Sequence, residues 1–266
     1  MKRITKIIFI LLFGFTLISG LLYFSQEKII FHPEQLANNY KFQFDQSFEE
    51  LNFKTPDNKI LNGLLFKSDS SKGLIFYLHG NAGSLKSWGQ ISNAYLQLHF
   101  DVLMFDYRGF GKSEGEINSQ NQLFEDVQIV YDEIKKKYPE NKIIILGYSI
   151  GTGPAAKLAS TNKPRLLILQ APYYSLIDMM NYNYPYLPTF LLKYKLETYK
   201  YIQDCKIPII IFHGDQDNVI YYNSSVRLRK LAKSTDTLIT LSGHGHNGIT
   251  ENPEYLLSLK KLLPLY

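Results

Sequence analysis

The stretch that decides the fold is "KIIILGYSIGTGPAAKLA", Lys142–Ala159. Its apolar start is typical of a buried strand, and its alanine-rich end is typical of a helix. Ser149 lies between the two, and Gly147 and Gly151 let the chain turn sharply there because they lack Cβ atoms. Ser149 would then stand at the apex, with the N–H of Ile150 directed into the site from a helix N-terminus. We therefore predict Ser149 as a nucleophile and Ile150 as an oxyanion donor.

The same stretch contains "GTGPAA", which has the G-x-G-x-x-A spacing of a dinucleotide-binding loop. Such a loop needs an acidic residue roughly 20 positions further on, at the end of the next strand. The chain there has "LILQAPYY", and the next acidic residue is Asp178. No nucleotide cofactor is therefore expected. Gly151 and Gly153 are expected to let the helix pack closely on the sheet.

A second G-x-S-x-G motif, "GKSEG", occurs at Gly111–Gly115. It lies in a glycine-rich loop after the apolar run "DVLMFDY", and no helical pattern begins at Ser113. A phosphate-binding P-loop would need glycine five residues before Gly111, where the chain has Asp106. Ser113 is therefore expected to be a loop or capping residue.

The rest of the chain alternates strand-like and helix-like segments. The segments "FEELNFKT" and "KILNGLLFK" form a predicted antiparallel pair joined by the turn "PDNK". Six short apolar runs are the other predicted strands: "GLIFYLHG", "DVLMFDY", "KIIILGY", "RLLILQA", "IPIIIFHG" and "DTLITLSG". Helical spacing marks Ser87–His99, Ser119–Tyr138, Ile150–Ser160, Ser224–Lys233 and Pro253–Leu263. The pattern indicates an α/β fold, with a mostly parallel eight-stranded sheet and helices on both faces.

Residues 172–205 interrupt this alternation and are long for a plain crossover, so a short lid insertion is predicted. The segment holds eight tyrosines, Met179, Met180, Phe190 and three prolines. These side chains either pack the lid onto the sheet or line an apolar substrate pocket. The residue types alone do not decide between the two.

A serine nucleophile needs a base and an acid that orients it, and in this architecture the acid precedes the histidine. After the serine, the chain offers "HGDQDNVI" for the acid and "GHGHNG" for the base. We predict Asp217 as the acid, with Asp215, which is nearer the strand end, as the alternative. We predict His246 as the base, with His244 as the alternative.

The segment "HGNAGS" follows the third predicted strand, where the second oxyanion donor is expected. The donor is predicted to be the N–H of Asn81 or Ala82. His79 is then expected to brace this loop rather than to act as a base. Arg108, in "DYRGFGKSEG", is expected to pair with a nearby carboxylate.

Residues 7–24, "IIFILLFGFTLISGLLYF", are 18 uncharged, mostly apolar positions. As a helix they would span roughly 27 Å, close to a bilayer core of about 30 Å. Positive residues precede the run, and no clear small-x-small cleavage site is present near Ser19–Gly20. We expect residues 1–26 to be an uncleaved transmembrane anchor and residues 27–266 to be one domain on the extracytoplasmic side. The alternatives are a cleaved signal peptide, which would leave the protein secreted, and a buried helix.

The charge distribution argues against a nucleic-acid partner. The formal net charge is +5, from 29 basic and 24 acidic residues. Residues 1–26 hold Lys2, Arg3 and Lys6 and no acidic residue, so much of the excess lies on a terminal segment rather than on a face. Cys205 is the only cysteine, which excludes an intrachain disulfide and a cysteine-based metal cluster. No metal is expected.

With these motifs the chain resembles the α/β-hydrolase superfamily of serine hydrolases. More narrowly, it resembles the membrane-anchored branch of bud-emergence-type hydrolases and α/β-hydrolase-domain depalmitoylases. The resemblance covers residues 27–266 and rests on "HGNAGS", "DYRGFGKSEG", "GYSIGTGPA", "HGDQDNVI" and "GHGHNG". By motif position it implies Ser149 as nucleophile, Asp217 as acid and His246 as base. From the order of these three residues and their strand context, we predict cleavage of carboxylic esters or thioesters, with a small-molecule or lipid-like acyl substrate and no cofactor.

Three features depart from that branch. His244 stands where a small residue is usual, "HNG" replaces "HND", and the cysteine-rich N-terminus of the depalmitoylases is missing. Two other functions stay open at this point. One is a serine peptidase or amidase, which uses the same triad, and the other is a membrane-associated scaffold without catalytic activity.

Overall fold

Eight strands form the central sheet in the computed structural model, which describes residues 2–265. In chain order they are β1 (Phe48–Lys54), β2 (Ile60–Phe66), β3 (Leu74–Leu78), β4 (Asp101–Phe105), β5 (Ile143–Tyr148), β6 (Leu166–Gln170), β7 (Ile209–Gly214) and β8 (Thr237–Leu241). Their order across the sheet is β1-β2-β4-β3-β5-β6-β7-β8. Strand β2 is antiparallel to both of its neighbours, and the other neighbouring pairs are parallel. The predicted mostly parallel sheet and its antiparallel hairpin are confirmed.

Ten α-helices lie in the described range. They are α1 (Lys2–Phe24), α2 (Gln26–Ile30), α3 (Leu85–Trp88), α4 (Ser92–Leu96), α5 (Gln120–Lys135), α6 (Thr152–Thr161), α7 (Leu176–Asn183), α8 (Thr198–Asp204), α9 (Asn223–Leu231) and α10 (Pro253–Leu262). Helices cover both faces of the sheet. Successive residues of a strand point to opposite faces, so each central strand contributes to a separate core on each side. On β5, Ile143 and Ile145 pack with α5, α6 and α8, whereas Ile144 and Leu146 pack with α4 and α10.

The helix predicted over Ser87–His99 is wrong as one element. The structure has α3, a 3₁₀ turn at Gly89–Ile91, and then α4. Gly89 lies against the ring of Phe44, and a Cβ at this glycine would come within 2.3 Å of that ring. The 3₁₀ turn lies at this contact, and Trp88 and Ser92 on either side of it keep right-handed helical dihedrals. The contact involves a residue 45 positions away and is invisible to a local helical pattern.

The segment between β6 and β7, residues 172–205, holds α7 and α8. Some of its aromatics pack inward: Tyr173 and Tyr194 are buried, and Tyr174 stacks on Tyr199 with ring centroids 4.7 Å apart. Others face outward, with exposed fractions from 63% to 96%: Tyr182, Tyr184, Tyr186 and Phe190. Packing therefore accounts for only part of this aromatic content.

The N-terminal helix α1 projects from the domain. Residues Arg3–Phe24 are long and apolar enough to cross a membrane, and none of that helix is buried. The interpretation of this segment as a buried core helix is therefore wrong. A membrane span and a signal sequence both fit its length and composition.

A short connector joins α1 to the domain. In α2, the Gln26 side chain is 7% exposed and holds the 191–193 backbone. Its Nε2 donates to the Leu191 carbonyl at 2.7 Å, and its Oε1 accepts from the Lys193 N–H at 2.8 Å. Further on, residues 32–33 pair in parallel with residues 82–83, directly after Asn81. The connector is thus bonded both to the segment containing α7 and to the loop after β3.

Candidate active site

Ser149 lies on a tight turn between β5 and α6. Its φ is +52°, a left-handed value that is costly for a residue with a side chain. The neighbouring glycines make room for the turn: a Cβ at Gly147 would lie 2.5 Å from the Gly151 carbonyl oxygen. A Cβ at Gly151 would lie 2.2 Å from the Leu78 carbonyl oxygen, on the backbone of β3. The sharp strand-to-helix turn expected at Ser149 is therefore present, and the side chain of Ser149 remains 7% exposed.

The structure brings three of the predicted side chains together. The Nε2 of His246 is 3.0 Å from the Oγ of Ser149, and its Nδ1 is 2.7 Å from the Oδ2 of Asp217. A carboxylate can only accept from Nδ1, so Nδ1 carries a proton and Nε2 can accept the hydroxyl proton of Ser149. These residues follow β5, β7 and β8, whose carboxyl ends lie at one edge of the parallel sheet.

The carboxylate of Asp217 has four hydrogen-bond donors. The N–H groups of Val219 and Ile220 donate to Oδ1, each at 2.8 Å. His246 Nδ1 and His213 Nε2 contact Oδ2 at 2.7 and 3.0 Å. Burial alone would raise the pKa of Asp217, but the hydrogen bonds from His213 and His246 outweigh it and hold that pKa well below its usual range. Asp217 is therefore ionised at neutral pH.

His213, which the sequence did not mark as a site residue, contacts the carboxylate of Asp217. It is fully buried at the end of β7, and its Nε2 also lies 2.9 Å from the Ile220 carbonyl. A carbonyl oxygen only accepts, so Nε2 carries the proton, and Nδ1 accepts from the Ser225 hydroxyl at 2.6 Å. This tautomer lets His213 donate to Asp217 on the side opposite His246. The only signal in the sequence is its place in "HGDQDNVI", two residues before Asp215.

The two alternative residues make other contacts. Asp215 accepts the Gly243 N–H at 2.7 Å and so joins the loops after β7 and β8. The Nδ1 of His244 is 3.2 Å from the Nδ2 of Asn252, the residue that caps α10. Of the four candidates, Asp217 and His246 are the ones in contact with each other and with Ser149 through His246.

Tyr148 contacts both the backbone and the imidazole ring of His246. It precedes Ser149, its hydroxyl donates to the His246 carbonyl at 3.0 Å, and its ring centroid is 5.5 Å from the imidazole. Burial raises the pKa of Tyr148, so its hydroxyl stays protonated as a donor. The sequence motif marks this position only as the x of G-x-S-x-G, and its contact with a residue 98 positions away depends on the fold.

The loop after β3 lies beside the Ser149 turn. Gly151 is close to the carbonyls of Leu78 and His79, which brings the N-terminus of α6 against this loop. The Asn81 carbonyl accepts from the His32 N–H at 2.7 Å, and the Asn81 side chain donates to the Ile30 carbonyl at 3.2 Å. Neither bond uses the N–H of Asn81. The structure therefore places Gly151, which follows Ile150, against the residues that lead into the loop of Asn81.

His79 braces this loop, as expected. It is fully buried, its Nδ1 donates to the Gly80 carbonyl at 2.8 Å, and its Nε2 is 3.6 Å from Asp106. Burial lowers the pKa of His79 to about 4 and raises the pKa of Asp106 well above its usual value. The two groups therefore form a neutral pair with one proton available between them.

Two further predictions concern the loop after β4. Arg108 contacts two carboxylates, with Nε 2.7 Å from Asp126 Oδ2 and a terminal nitrogen 2.6 Å from Asp57 Oδ2. Ser113 is a loop residue whose Oγ accepts from the Asn62 N–H at 2.9 Å. Within residues 2–265, the histidine, cysteine and carboxylate side chains form no group of three suited to a metal ion.

Comparison with protein families gives one match that covers half of the chain. A family model described as "Serine aminopeptidase, S33" matches residues 69–202. The matched region contains Asn81, Ser149 and Ile150 and ends before Asp217 and His246.

Curated relatives and solved structures give the same picture. An uncharacterised protein of Acanthamoeba polyphaga mimivirus is 30% identical over 242 residues, covering 82% of this chain and 81% of the relative. The alpha/beta hydrolase domain-containing protein 17B of Homo sapiens is 28% identical over 203 residues, covering 74% of this chain and 68% of that protein. An esterase structure from Pyrococcus furiosus superposes with a TM-score of 0.71 at 20% identity, covering 89% of this chain and 98% of the esterase. At that identity the esterase shows a shared fold.

Proposed function

Because the chain belongs to the serine aminopeptidase S33 family of the α/β-hydrolase superfamily, we propose that it is a serine hydrolase that cleaves carboxylic esters or thioesters. The observation that carries the proposal is the continuous hydrogen-bonded chain from Ser149 through His246 to Asp217. Each member has the chemistry that its position requires: Ser149 has a hydroxyl, His246 has an unprotonated Nε2, and Asp217 has an ionised carboxylate.

The proposed reaction has two halves. In the first, Ser149 Oγ attacks the acyl carbonyl carbon while its proton passes to His246 Nε2. The alcohol or thiol then leaves and takes that proton, which gives an acyl-enzyme. In the second, His246 removes a proton from water, the resulting hydroxide attacks the acyl carbon, and Ser149 leaves with the proton. The products are a carboxylic acid and the free alcohol or thiol.

The other proposed site residues stabilise charge. Asp217 orients His246 and stabilises its imidazolium form, and it need not be protonated to do so. The N–H groups of Ile150 and Asn81 are the proposed donors to the oxyanion, and the approach of Gly151 to the Leu78 and His79 carbonyls supports this assignment. Removing one oxyanion donor in a hydrolase of this kind costs about 10²- to 10³-fold in rate.

The test compares wild type with Ser149→Ala, using a fluorophosphonate probe and short acyl esters. Wild type should be labelled and should turn over the esters, and Ser149→Ala should lose labelling and at least about 10²-fold in kcat. The matched control is Ser113→Ala, which changes the serine of the second G-x-S-x-G motif and should keep labelling. Equal labelling of wild type and Ser149→Ala, or a wild type without labelling and turnover, would contradict the proposal.

The name of the matched family favours one alternative, an aminopeptidase or amidase on the same three residues. An aminopeptidase needs a free carboxylate or similar acceptor for the substrate ammonium group. Asp178, beside the loop of Asp217, is already paired with Arg227 at 2.6 Å and accepts from Tyr221. We therefore place ester and thioester cleavage first. Faster turnover of aminoacyl anilides than of matched esters would reverse that order.

The proposal includes membrane attachment through α1. The helix is 23 residues long, roughly 34 Å at 1.5 Å per residue, which suits a bilayer core of about 30 Å. With its positive residues before the apolar run, the catalytic domain would lie on the extracytoplasmic side. A protease-protection assay on sealed vesicles tests this orientation, and protection of the domain in right-side-out vesicles would contradict it.

A further inference from the structure

A groove lies between the end of α1 and the segment that contains α7. Its volume is about 460 Å³. Leu22 and Ile29 form one wall, from the end of α1 and from α2, and the opposite wall includes Met179, Met180, Leu187 and Leu191. The groove thus connects a helix suited to a bilayer with the insertion that precedes β7.

The two amide side chains in this groove already have partners. Gln26 uses its amide for the Leu191 carbonyl and the Lys193 N–H. Asn183 donates to the Met179 carbonyl at 3.0 Å, inside α7. Because these amides are satisfied, the surface they leave to an occupant is mostly methylene, methyl and thioether. Such a surface suits an alkyl chain better than a polar ligand.

With α1 in a bilayer, as proposed above, the groove would lie near the membrane–water interface. Leu22 belongs both to the exposed apolar helix and to the groove. Lys193 lies over the ring of Tyr23 at 4.6 Å and pairs with Glu27 at 3.1 Å, directly where α1 ends. Three exposed aromatics of the insertion are on the same segment: Tyr184, Tyr186 and Phe190. Tyrosines and a lysine beside the end of an apolar helix are typical of the membrane–water boundary.

Helix α7 contacts both the groove and the segment that follows Asp217. Asp178 and Tyr182, four residues apart, face the loop after Asp217: Asp178 accepts from Tyr221, and Tyr182 stacks on Tyr221 at 4.2 Å. Met179 and Met180 lie on another side of the same helix and line the groove. The helix that lines the groove therefore also contacts Tyr221, four residues after the proposed acid.

From these contacts we infer that the groove binds the acyl chain of a bilayer lipid, drawn from the leaflet that surrounds the end of α1. This inference rests on the proposed function and specifies its substrate class as long-chain acyl compounds that reside in the membrane. The head of the substrate would lie toward Ser149, and its chain would lie between α2 and α7. Short, water-soluble acyl esters have no chain long enough to use the groove.

The test uses full-length protein in phosphatidylcholine vesicles and two fluorogenic esters, one palmitoyl and one butyryl. Met180→Trp and Ile29→Trp fill the groove from opposite walls. Both variants should lower kcat/KM for the palmitoyl ester about tenfold or more, because two methylenes lost from an apolar site are already worth about that factor. The butyryl ester should change by less than about twofold. Leu257→Trp, at an exposed apolar position of α10, is the matched control and should change neither ester.

A second measurement does not depend on turnover or on how the variants fold. Vesicles containing a phosphatidylcholine with a diazirine in one acyl chain are irradiated with wild-type protein. Labelling of residues 176–193 supports the inference, and labelling of residues 3–24 serves as the internal reference for membrane contact. An unlabelled 176–193 segment beside a labelled α1 overturns it.

The outcomes separate the two proposals. Equal losses for palmitoyl and butyryl esters in the groove variants, or no loss for either, would overturn the groove inference and leave ester hydrolysis intact. A wild type that hydrolyses neither ester would contradict the proposed function, and the photolabelling result would still decide whether lipid occupies the groove.

Discussion

At the scale of single residues, Asp217 is the most constrained group of the site. Four donors converge on one carboxylate, two from backbone N–H groups and two from histidines on opposite sides. Such a carboxylate can neither rotate nor take up a proton easily, so the imidazole of His246 is held in one orientation. The rigidity comes from His213 and the loop that follows Asp217 as much as from Asp217 itself.

His213 is therefore expected to act as a positioning residue through Asp217. His213→Phe removes the donor to Asp217, and a hydrogen bond to a charged group is worth about 1.5–3 kcal/mol, or roughly 10- to 100-fold in rate. We expect a loss of that size in kcat for short esters, with KM changed by less than about twofold. His213→Gln can place an amide N–H near the same oxygen and should recover most of the loss.

Comparing the kcat values and the stabilities of these two variants separates a positioning role of His213 from simple destabilisation of the fold. Steady-state kinetics and thermal unfolding are measured for both. If His213→Phe and His213→Gln lose activity equally, or if the loss is entirely in KM, the role assigned to His213 is wrong.

Ser149, Asp217 and His246 could be predicted from the sequence because their order along the chain and their local motifs narrow each role to one or two residues. It also left the pairs Asp215/Asp217 and His244/His246 open, because two residues of spacing in a loop do not fix a side-chain direction. The structure separates them through contacts with Gly243 and Asn252. Tyr148 and His213 were missed because their partners, the His246 carbonyl and the Asp217 carboxylate, are brought to them by packing and loop geometry that no local pattern encodes.

At the scale of elements, the junction of β5, Ser149 and α6 depends on close backbone approach. The glycines there do not take up the left-handed conformation, which falls on Ser149 itself. Gly147 and Gly151 instead allow the first turn of the helix to contact the sheet. Gly153 lies under the Tyr173 hydroxyl, so it makes room for the segment after β6 rather than for the sheet.

Gly151→Ala should destabilise the protein and remove activity. The new methyl group would lie 2.2 Å from the Leu78 carbonyl oxygen, which is backbone of a central strand and cannot move aside. We expect a loss of about 2 kcal/mol or more in the free energy of unfolding, as for other overpacked sites.

Chemical denaturation of the full chain in detergent measures this change. Gly20→Ala in α1 is the matched control, since a Cβ there meets nothing within 4 Å and alanine is the better helix former. A Gly151→Ala protein as stable as wild type would show that α6 can shift on the sheet.

Element positions were predicted well wherever a segment is buried on the sheet, because continuous apolar runs and helical spacing report burial directly. The prediction of a single helix differs from the structure at α3 and α4, where a 3₁₀ turn begins at Gly89, against Phe44. It stayed undecided between packing and pocket for residues 172–205, because a tyrosine suits a core, a pocket or a membrane surface. Only the contacts with α1 and α2 separate the outward-facing tyrosines from the buried ones.

At the scale of the whole molecule, the buried ionisable groups set the pH dependence of stability. Asp217 has a folded-state pKa below its unfolded value of about 3.9, so its contribution is present above that pH and is lost as the pH falls toward the folded pKa. His79 and Asp106 shift in opposite directions, and their contributions oppose each other between about pH 4 and 6.5.

We therefore expect Asp217→Asn to be less stable than wild type at pH 6, with the difference shrinking as the pH is lowered to 3. Unfolding by urea at the two pH values measures it for both proteins. A difference that stays constant or grows at pH 3 would mean that Asp217 is not held in its ionised form by the fold.

The pairing of residues 32–33 with residues 82–83 has a consequence for the proposed attachment of the domain to a membrane through α1. Glu34 continues this contact, with its N–H on the Gly83 carbonyl and its carboxylate 2.7 Å from Lys86. A shedding protease that cuts before Ser25 would free a domain that keeps both Gln26 and this pairing. A cut after Glu34 would strip a supporting strand from the loop of Asn81. The position of the cut would therefore decide whether the released domain keeps or loses its activity.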